Sequence, residues 1–471
     1  MKTCEWRVDI IILNEFSSIV SRKRNVDLFL WGCILLLFIM LILNLKEIML
    51  VQAWRHDALY YLQSYSGKLK EEGRWINYFL FEYLKAFPAH ASALLDITFF
   101  AGFLGIAANK ILSWKESLLI TLLFLQISPI WSIIHWPAVI LPAHFFLFIC
   151  AYLSRKYRYE YILALACILF HGTMNNLYNL IPLLFLSQIK TGRQLFRFLA
   201  FWLLFYVLGF AVAESITKLI AGQFILPASW RQPHYITSLT ALVQNLKMMS
   251  KYCISHIRTF TPANFMLCML TTVLCLRKKL LNPYQCLLLV CVGAACYVQA
   301  LPLGILVYLR TVYSLYTALL IPLCFLLLCK RFRILALVVI MILSVRMFAD
   351  NNNSLRYYNG IVSVWTEHLR IIPNDPHLNS QLIFLSGNKE TSNVEKYLMK
   401  TMNLSNRITS GLGESYRWPP SAQSLGYKVK LGQAKQLEKC NFYSNRLYEW
   451  ADYNGTIVVR FNPDLIKQIK N

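Results

Sequence analysis

Charge is what this 471-residue sequence has least of: Asp, Glu, Lys and Arg together make up 15% of it, against about 25% in soluble domains. With 57% apolar residues and a mean hydropathy of +0.47, a soluble core could not absorb the apolar surface, so an integral membrane protein is expected. Acids are scarcer still, 23 against 47 bases. The bases lie mostly in short stretches between hydrophobic segments, the pattern of cytoplasmic loops, which accounts for the positive charge without nucleic acid as a partner. Several motifs are missing: no Walker loop, no GxGxxG after a strand, no GxSxG and no HExxH. Coupling to cytosolic ATP and serine-type hydrolysis therefore lack their residues. The 13 cysteines form no CxxC pair and no Cys/His cluster; most lie in hydrophobic runs, where a thiol acts as a small apolar side chain. There is no internal repeat, and no low-complexity tract beyond the asparagines at 351–353. Residues 1–27 mix acids and bases without a small-residue cleavage site, so "FLWGCILLLFIMLIL" (29–43) is expected to be a retained first span.

What is present is a series of apolar segments, each near the ~20 residues that cross a bilayer. They begin near Asp27, His90, Ser117, Pro137, Tyr161, Asn176, Phe196, Ala263, Tyr284, Ser314 and Ile334. "YILALACILF" and "LYNLIPLLFLS" flank the polar "HGTMNN" (171–176) and count as two short segments meeting at a turn, because the charge map is then consistent. "SRKRN" and the loops "NKILSWKE", "SRKYRYE", "KTGRQLFR", "LRKK" and "CKRFR" all fall on one side, while "WSIIHWP" and "HGTMNN" on the other carry no Lys or Arg. The expected fold is an α-helical polytopic membrane protein with about 11 transmembrane helices. Residues 1–27 form a cytoplasmic segment, 28–348 the membrane domain with outer loops at 45–89 and 221–262, and 349–471 a small C-terminal α+β extracytoplasmic domain. That domain is expected to open at "ADNNNS", with strands at "LIFLSG", "YKVKL" and "TIVVRF" and a helix at "NVEKYLMKTM".

The densest set of ionisable groups is "WRHDALYYLQSYSGKLKEEGRW" (54–75), in the first outer loop. The following "INYFLFEYLKAF" repeats Phe79, Leu80, Tyr83, Leu84 and Phe87 at helical spacing, as a helix lying in the membrane interface would. Asp57, beside several cations, is suited to take a proton from a hydroxyl. Arg55, Lys68, Lys70 and Arg74 could neutralise a phosphate, Arg74 by a two-pronged contact. The same charges would serve equally as anchors for the helix ends. Asp96, Glu214 and Arg310 sit near outer span ends, each readable as an interfacial residue. Taken together with Asp57 and Arg74 they would line one outward-facing cavity, closed from above by Arg231 and His234. His135, His144 and His171 lack paired i,i+4 spacing, so no metal ligand set and no cofactor is expected.

An early charged loop after span one, an amphipathic helix, many short spans and a C-terminal extracytoplasmic domain resemble the GT-C superfamily of polytopic glycosyltransferases. More narrowly, "RHDALYYLQSYSGKLKEEGRWINYFLFEYL", then "IHWPAVILPAHFFLFICAYLSRK" and "LFHGTMNNLYNLIPLLFL", resemble the phage-type O-antigen glucosyltransferases that convert bacterial serotype. The likeness covers about the first 200 residues. The family often carries two acids in the loop where this sequence has His56 followed by the lone Asp57, leaving Glu72 or Asp96 as substitutes for the second. The resemblance implies inverting transfer of a hexose such as glucose from a polyprenyl-phosphate sugar to a lipid-linked O-antigen saccharide, on the periplasmic face of the bacterial inner membrane. Asp57 would be the general base, and Arg74 and Arg310 would bind the leaving phosphate. Two rivals remain: an O-antigen polymerase, expected to have a larger Arg-rich outer loop, and a polysaccharide transporter or flippase, expected to have similar halves and mid-membrane charges.

Overall fold

A computed structural model of the chain describes residues 5–50, 65–84, 88–134, 137–226, 231–372, 381–404, 418, 428–432, 442–453 and 456–470. In chain order, α1 (Glu5–Leu50) is followed by the short α2 (Ser66–Glu72) and α3 (Trp75–Leu84), then by α4 (Ala89–Asn109). α5 (Trp114–Phe124) and α6 (Ser128–Ile133) precede α7 (Pro137–Leu153) and α8 (Tyr159–His171). A 3-10 segment (Asn175–Gln188) leads to α9 (Gly192–Ala221). α10 (Leu239–Phe260) meets α11 (Pro262–Arg277) at 95°. α12 (Pro283–Ala300), a 3-10 turn at Leu309–Thr311, α13 (Tyr313–Leu320), α14 (Pro322–Leu328) and α15 (Arg333–Leu369) complete the bundle.

Every expected apolar segment is helical. Among the described residues, five helices are long and apolar enough to cross a bilayer alone: α1 from Asn25 onward, α4, α9, α12 and α15; the bent pair α10–α11 adds at most a sixth. The other expected spans are shorter than an α-helical crossing needs. The 3-10 segment is the instructive case. It has 14 residues and is buried from Leu177 to Leu186. At about 2.0 Å rise per residue it reaches ~28 Å, nearly the ~30 Å of a hydrocarbon core, so residue count understates its reach. The turn at 172–174 separates it from α8.

The basic loops gather at one end of the bundle. Lys110 Nζ donates to the Ser154 carbonyl and hydroxyl at 3.2 and 2.8 Å and to the Leu184 carbonyl at 2.9 Å. Arg333 bridges Glu116 at 3.0 Å and Asp27 at 3.8 Å, and Asn282 Nδ2 donates to the Ile189 carbonyl at 3.0 Å. The 65–75, 172, 225–226, 231–234 and 301–310 segments meet one another at the opposite end.

The domain boundary expected at 348 falls inside α15, which continues to Leu369. Asparagine is a poor helix former, so "ADNNNS" resembles a break; tertiary contacts override it. Asn351 Nδ2 donates to the Gln126 carbonyl at 2.7 Å, Asn352 Nδ2 to Asn44 Oδ1 at 3.3 Å, and Asn359 Nδ2 to the Glu47 carbonyl at 2.6 Å. The helix is ~55 Å long, more than a bilayer core requires. Its first part, up to Leu355, belongs to the bundle core, and from Tyr357 onward it belongs to a second core.

That second core is the C-terminal unit. The expected strands and helix are present as β1 (Gln381–Phe384), β2 (Lys428–Leu431), β5 (Thr456–Phe461) and α16 (Asn388–Thr401), and the structure adds β3 (Tyr443–Ser444), β4 (Tyr448–Tyr453) and the closing α17 (Pro463–Lys470). They form one sheet of order β2-β1-β5-β4-β3, with β1 parallel to both β2 and β5, and β5, β4 and β3 antiparallel. Trp418 stacks on Phe384 at 4.0 Å and donates to the Tyr448 hydroxyl at 2.8 Å, so even its one polar atom is satisfied inside the core.

Candidate functional site

The site starts from a three-residue reversal. α2 ends at Glu72, and Gly73 takes a left-handed conformation (φ +67°), its N–H donating to the Leu69 carbonyl at 3.0 Å. A Cβ at Gly73 would lie 2.4 Å from Ile225 Cδ1, so both the angle and the space call for glycine. α3 begins at once, and its Ile76 and Asn77 N–H groups, orphaned at a helix start, donate to the Gly172 carbonyl at 3.0 and 3.3 Å. "HGTMNN" is thereby fixed beside the reversal. On α3, Ile76, Asn77 and Phe81 face inward, while Phe79 and Tyr83 are exposed.

The reversal directs Lys68, Glu72 and Arg74 toward one point. Lys68 Nζ lies 2.5 Å from Glu72 Oε1, Arg231 Nη2 lies 2.9 Å from the same oxygen, and Arg74 Nη2 contacts Glu72 Oε2. Burial by itself would raise the Glu72 carboxyl; Arg231, then Arg74 and Lys68, outweigh it and hold the group well below the usual carboxylate range. Burial likewise pushes the Lys68 ammonium below its ordinary value, with Glu72 opposing the shift. Three cations surround this one carboxylate, and Glu71 and Glu214 line the cavity beside it.

A cavity of about 340 Å³ opens beside it, lined by Lys68, Glu72, Arg74, Arg231, Glu214 and Arg310, among others. Arg310 sits on the 3-10 turn after α12 with its guanidinium 4.1 Å from the centre of the Tyr308 ring. Glu214 Oε2 accepts from the Ile225 N–H at 2.8 Å, and the Leu226 N–H donates to the Lys70 carbonyl at 3.0 Å. The first bond holds the connection after α9 to α9 itself, and the second fastens it to α2. His171 forms another part of the wall: Nδ1 donates to the Cys167 carbonyl at 2.8 Å, and the ring packs against Tyr206 at 4.8 Å.

Four expected site residues are thus brought together: Arg74, Arg231, Glu214 and Arg310. Arg55, His56 and Asp57 lie outside the described residues, as does His135. Asp96 is elsewhere. It is sealed between α4 and α7 with Oδ1 2.7 Å from His144 Nδ1, Phe100 stacked on that imidazole at 4.5 Å and the Tyr313 ring edge-on at 5.7 Å. It could not reach the cavity because its face of α4 is turned into the bundle, where a carboxylate requires a partner. His234 does not line the cavity either; its N–H donates to the Leu303 carbonyl at 2.7 Å and its carbonyl accepts from Asn245 Nδ2 at 2.7 Å, so its backbone is the part in use. The 221–262 loop contains a helix, α10, that its polar start concealed.

Sequence reasoning did not single out Tyr308, Tyr206, Asn175 or Gln299, all of which line the cavity. Gln299 and Asn179 exchange hydrogen bonds at 2.8 and 3.1 Å, and one signal was available: a lone amide near the end of each apolar run. Among the described residues no three His, Cys, Asp or Glu side chains come together as a metal would need. No protein-family model, curated protein or solved structure matches the chain.

Proposed function

We propose that this protein is a membrane glycosyltransferase of the GT-C kind, resembling the serotype-converting O-antigen glucosyltransferases. It would transfer a hexose, glucose in the simplest case, from a polyprenyl-phosphate sugar to a lipid-linked O-antigen saccharide. The observation that carries this reading is the convergence of Arg74, Arg231, Arg310 and Lys68, from three distant chain segments, on one cavity at the end of the bundle away from the basic loops. Cations so arranged can neutralise a phosphate as it leaves, and donors fixed in advance stabilise growing charge most effectively. Glu72 holds the guanidinium groups in place before substrate arrives. The apolar wall around Arg310 and the exposed aromatic face of α3 suit a donor whose lipid tail stays in the membrane.

On this reading the cavity opens to the periplasm, the N-terminus is cytoplasmic, the C-terminal sheet unit is periplasmic, and the membrane is the bacterial inner membrane. Asp57 takes the proton from the acceptor hydroxyl, which attacks the anomeric carbon from the face opposite the phosphate and inverts it. No nucleotide leaves, so the chemistry calls for no metal. The experiment is Asp57→Asn, which keeps the side chain's size and removes the base. The expected result is a ~10²–10⁴-fold loss of transfer from a polyprenyl-phosphate sugar at unchanged membrane abundance, with the side-branch sugar missing from the polysaccharide in cells. Shortened polysaccharide chains would instead identify a polymerase, and near-normal turnover would move the base role to Glu214, which already lines the cavity.

A further inference from the structure

We propose that α10 (Leu239–Phe260) lies in the plane of the membrane surface at the cavity end and binds anionic phospholipid headgroups through Lys247, Lys251 and Arg258. Three observations meet here. First, α10 turns 95° into α11, with the change absorbed at Thr261 (φ +73°). With α11 directed across the bilayer, α10 runs along it. Crossing the bilayer as a span would bury Lys247 and Lys251 near its centre, where cations are costly.

Second, the surface of α10 divides into three rows. Ala241, Asn245, Met249, His256 and Phe260 are buried against the bundle. Leu239, Val243, Leu246 and Ile254 form an exposed apolar row, and Gln244, Lys247, Lys251, Ser255 and Arg258 an exposed polar and basic one on the other flank. A helix in the interface needs this arrangement, an apolar flank toward acyl chains and cations at headgroup level. Third, the chain has no Asp or Glu from Ser215 through Ala349. The basic row therefore has no acid within its own helix or the connections on either side, and a negative surface is its natural complement.

The placement bears on the cavity. Asn245 Nδ2 donates both to the His234 carbonyl at 2.7 Å and to the Leu301 carbonyl at 3.0 Å. Gly304 (φ +55°) sits so close that a Cβ would lie 2.5 Å from the His234 carbonyl oxygen. The buried row of α10 is thus fastened to the two segments that carry Arg231 and Arg310, and a helix held by headgroups sets their depth. This rests on the membrane assignment alone and not on the glycosyltransferase reading.

The test places the photo-crosslinking residue p-benzoylphenylalanine at position 244, in the basic row, of the full-length chain. The protein is reconstituted in vesicles of equimolar phosphatidylglycerol and phosphatidylcholine without any sugar donor, and phospholipid adducts are counted by mass spectrometry. Phosphatidylglycerol adducts should exceed phosphatidylcholine adducts by about threefold or more. The ratio should fall to about one when Lys247→Gln, Lys251→Gln and Arg258→Gln are combined, and toward one in the unsubstituted background as salt rises from about 0.05 to 0.5 M. A ratio near one at low salt, a ratio unmoved by either change, or the absence of lipid adducts would overturn the proposal. The last result would mean that this face meets water or protein.

Discussion

Two acidic residues in this chain, Glu72 and Asp96, are each buried against cationic or imidazole partners, yet their surroundings differ in kind. Among the described residues Asp96 pairs with His144, on a neighbouring helix, with Phe100 and Tyr313 closing the space around them. Glu72 has three cations, drawn from α2, the reversal after it and the distant 231 segment, beside an open cavity. A buried one-to-one pair closed in by aromatic rings holds helices together, whereas cations gathered around a carboxylate at the wall of a cavity are placed where a ligand can reach them. Burial of an ionisable group therefore does not by itself mark a site; the charge balance and the way in decide it.

The comparison breaks first, and by the largest amount, at Asp96. Asp96→Ala strands His144 in an apolar setting, and removing one member of a buried pair costs about 3–5 kcal/mol, so thermal unfolding in detergent should show a strongly lowered midpoint and low abundance. Asp96→Asn with His144→Gln, a neutral pair of similar shape, should recover much of that loss along with transfer activity. Lost activity at normal stability would make Asp96 a functional residue after all.

At the cluster the opposite pattern is expected. Arg74→Lys keeps the charge but not the planar two-donor contact. A lost charge-assisted hydrogen bond costs about 1.5–3 kcal/mol, equivalent to roughly 10- to 150-fold in rate, so transfer should fall by that factor at unchanged abundance. Retention of more than half the rate would pass the phosphate contact to Arg231 or Arg310. Lys70→Arg, on the exposed side of α2, is the silent control. Lys68, which the sequence pairs with Lys70, cannot serve as one because it is buried against Glu72.

The smallest effect is in pH. A carboxylate whose pKa is depressed in the folded state contributes stability that is complete above its unfolded pKa, about 4.3, and is lost as pH falls through the folded value. Glu72 is such a group, so its contribution should be constant from pH 7 to about 5 and decline only in stronger acid. Glu72→Gln should reduce that acid decline in the unfolding midpoint; an unchanged acid profile would mean that the three cations do not hold the carboxylate as the geometry indicates.

Composition and local pattern alone determined that the chain is a helical membrane protein, where its apolar segments begin, that the basic loops share one end, and that β1, β2, β5 and α16 lie beyond the membrane part. These features depend on the periodicity of neighbouring residues and on charge against hydrocarbon, and both are local. The sequence also singled out Arg74, Arg231, Glu214 and Arg310. Tertiary structure decided their company: Arg231 is more than 150 positions from Glu72 along the chain, and their 2.9 Å approach depends on Gly73, Ile225 and the packing of the 221–226 connection. It also sealed Asp96, because the orientation of a helix face in an all-apolar bundle is set by its neighbours and leaves little amphipathic trace. Likewise it carried α15 through "ADNNNS", where hydrogen bonds to Asn44, Glu47 and Gln126 supply what helix propensity lacks.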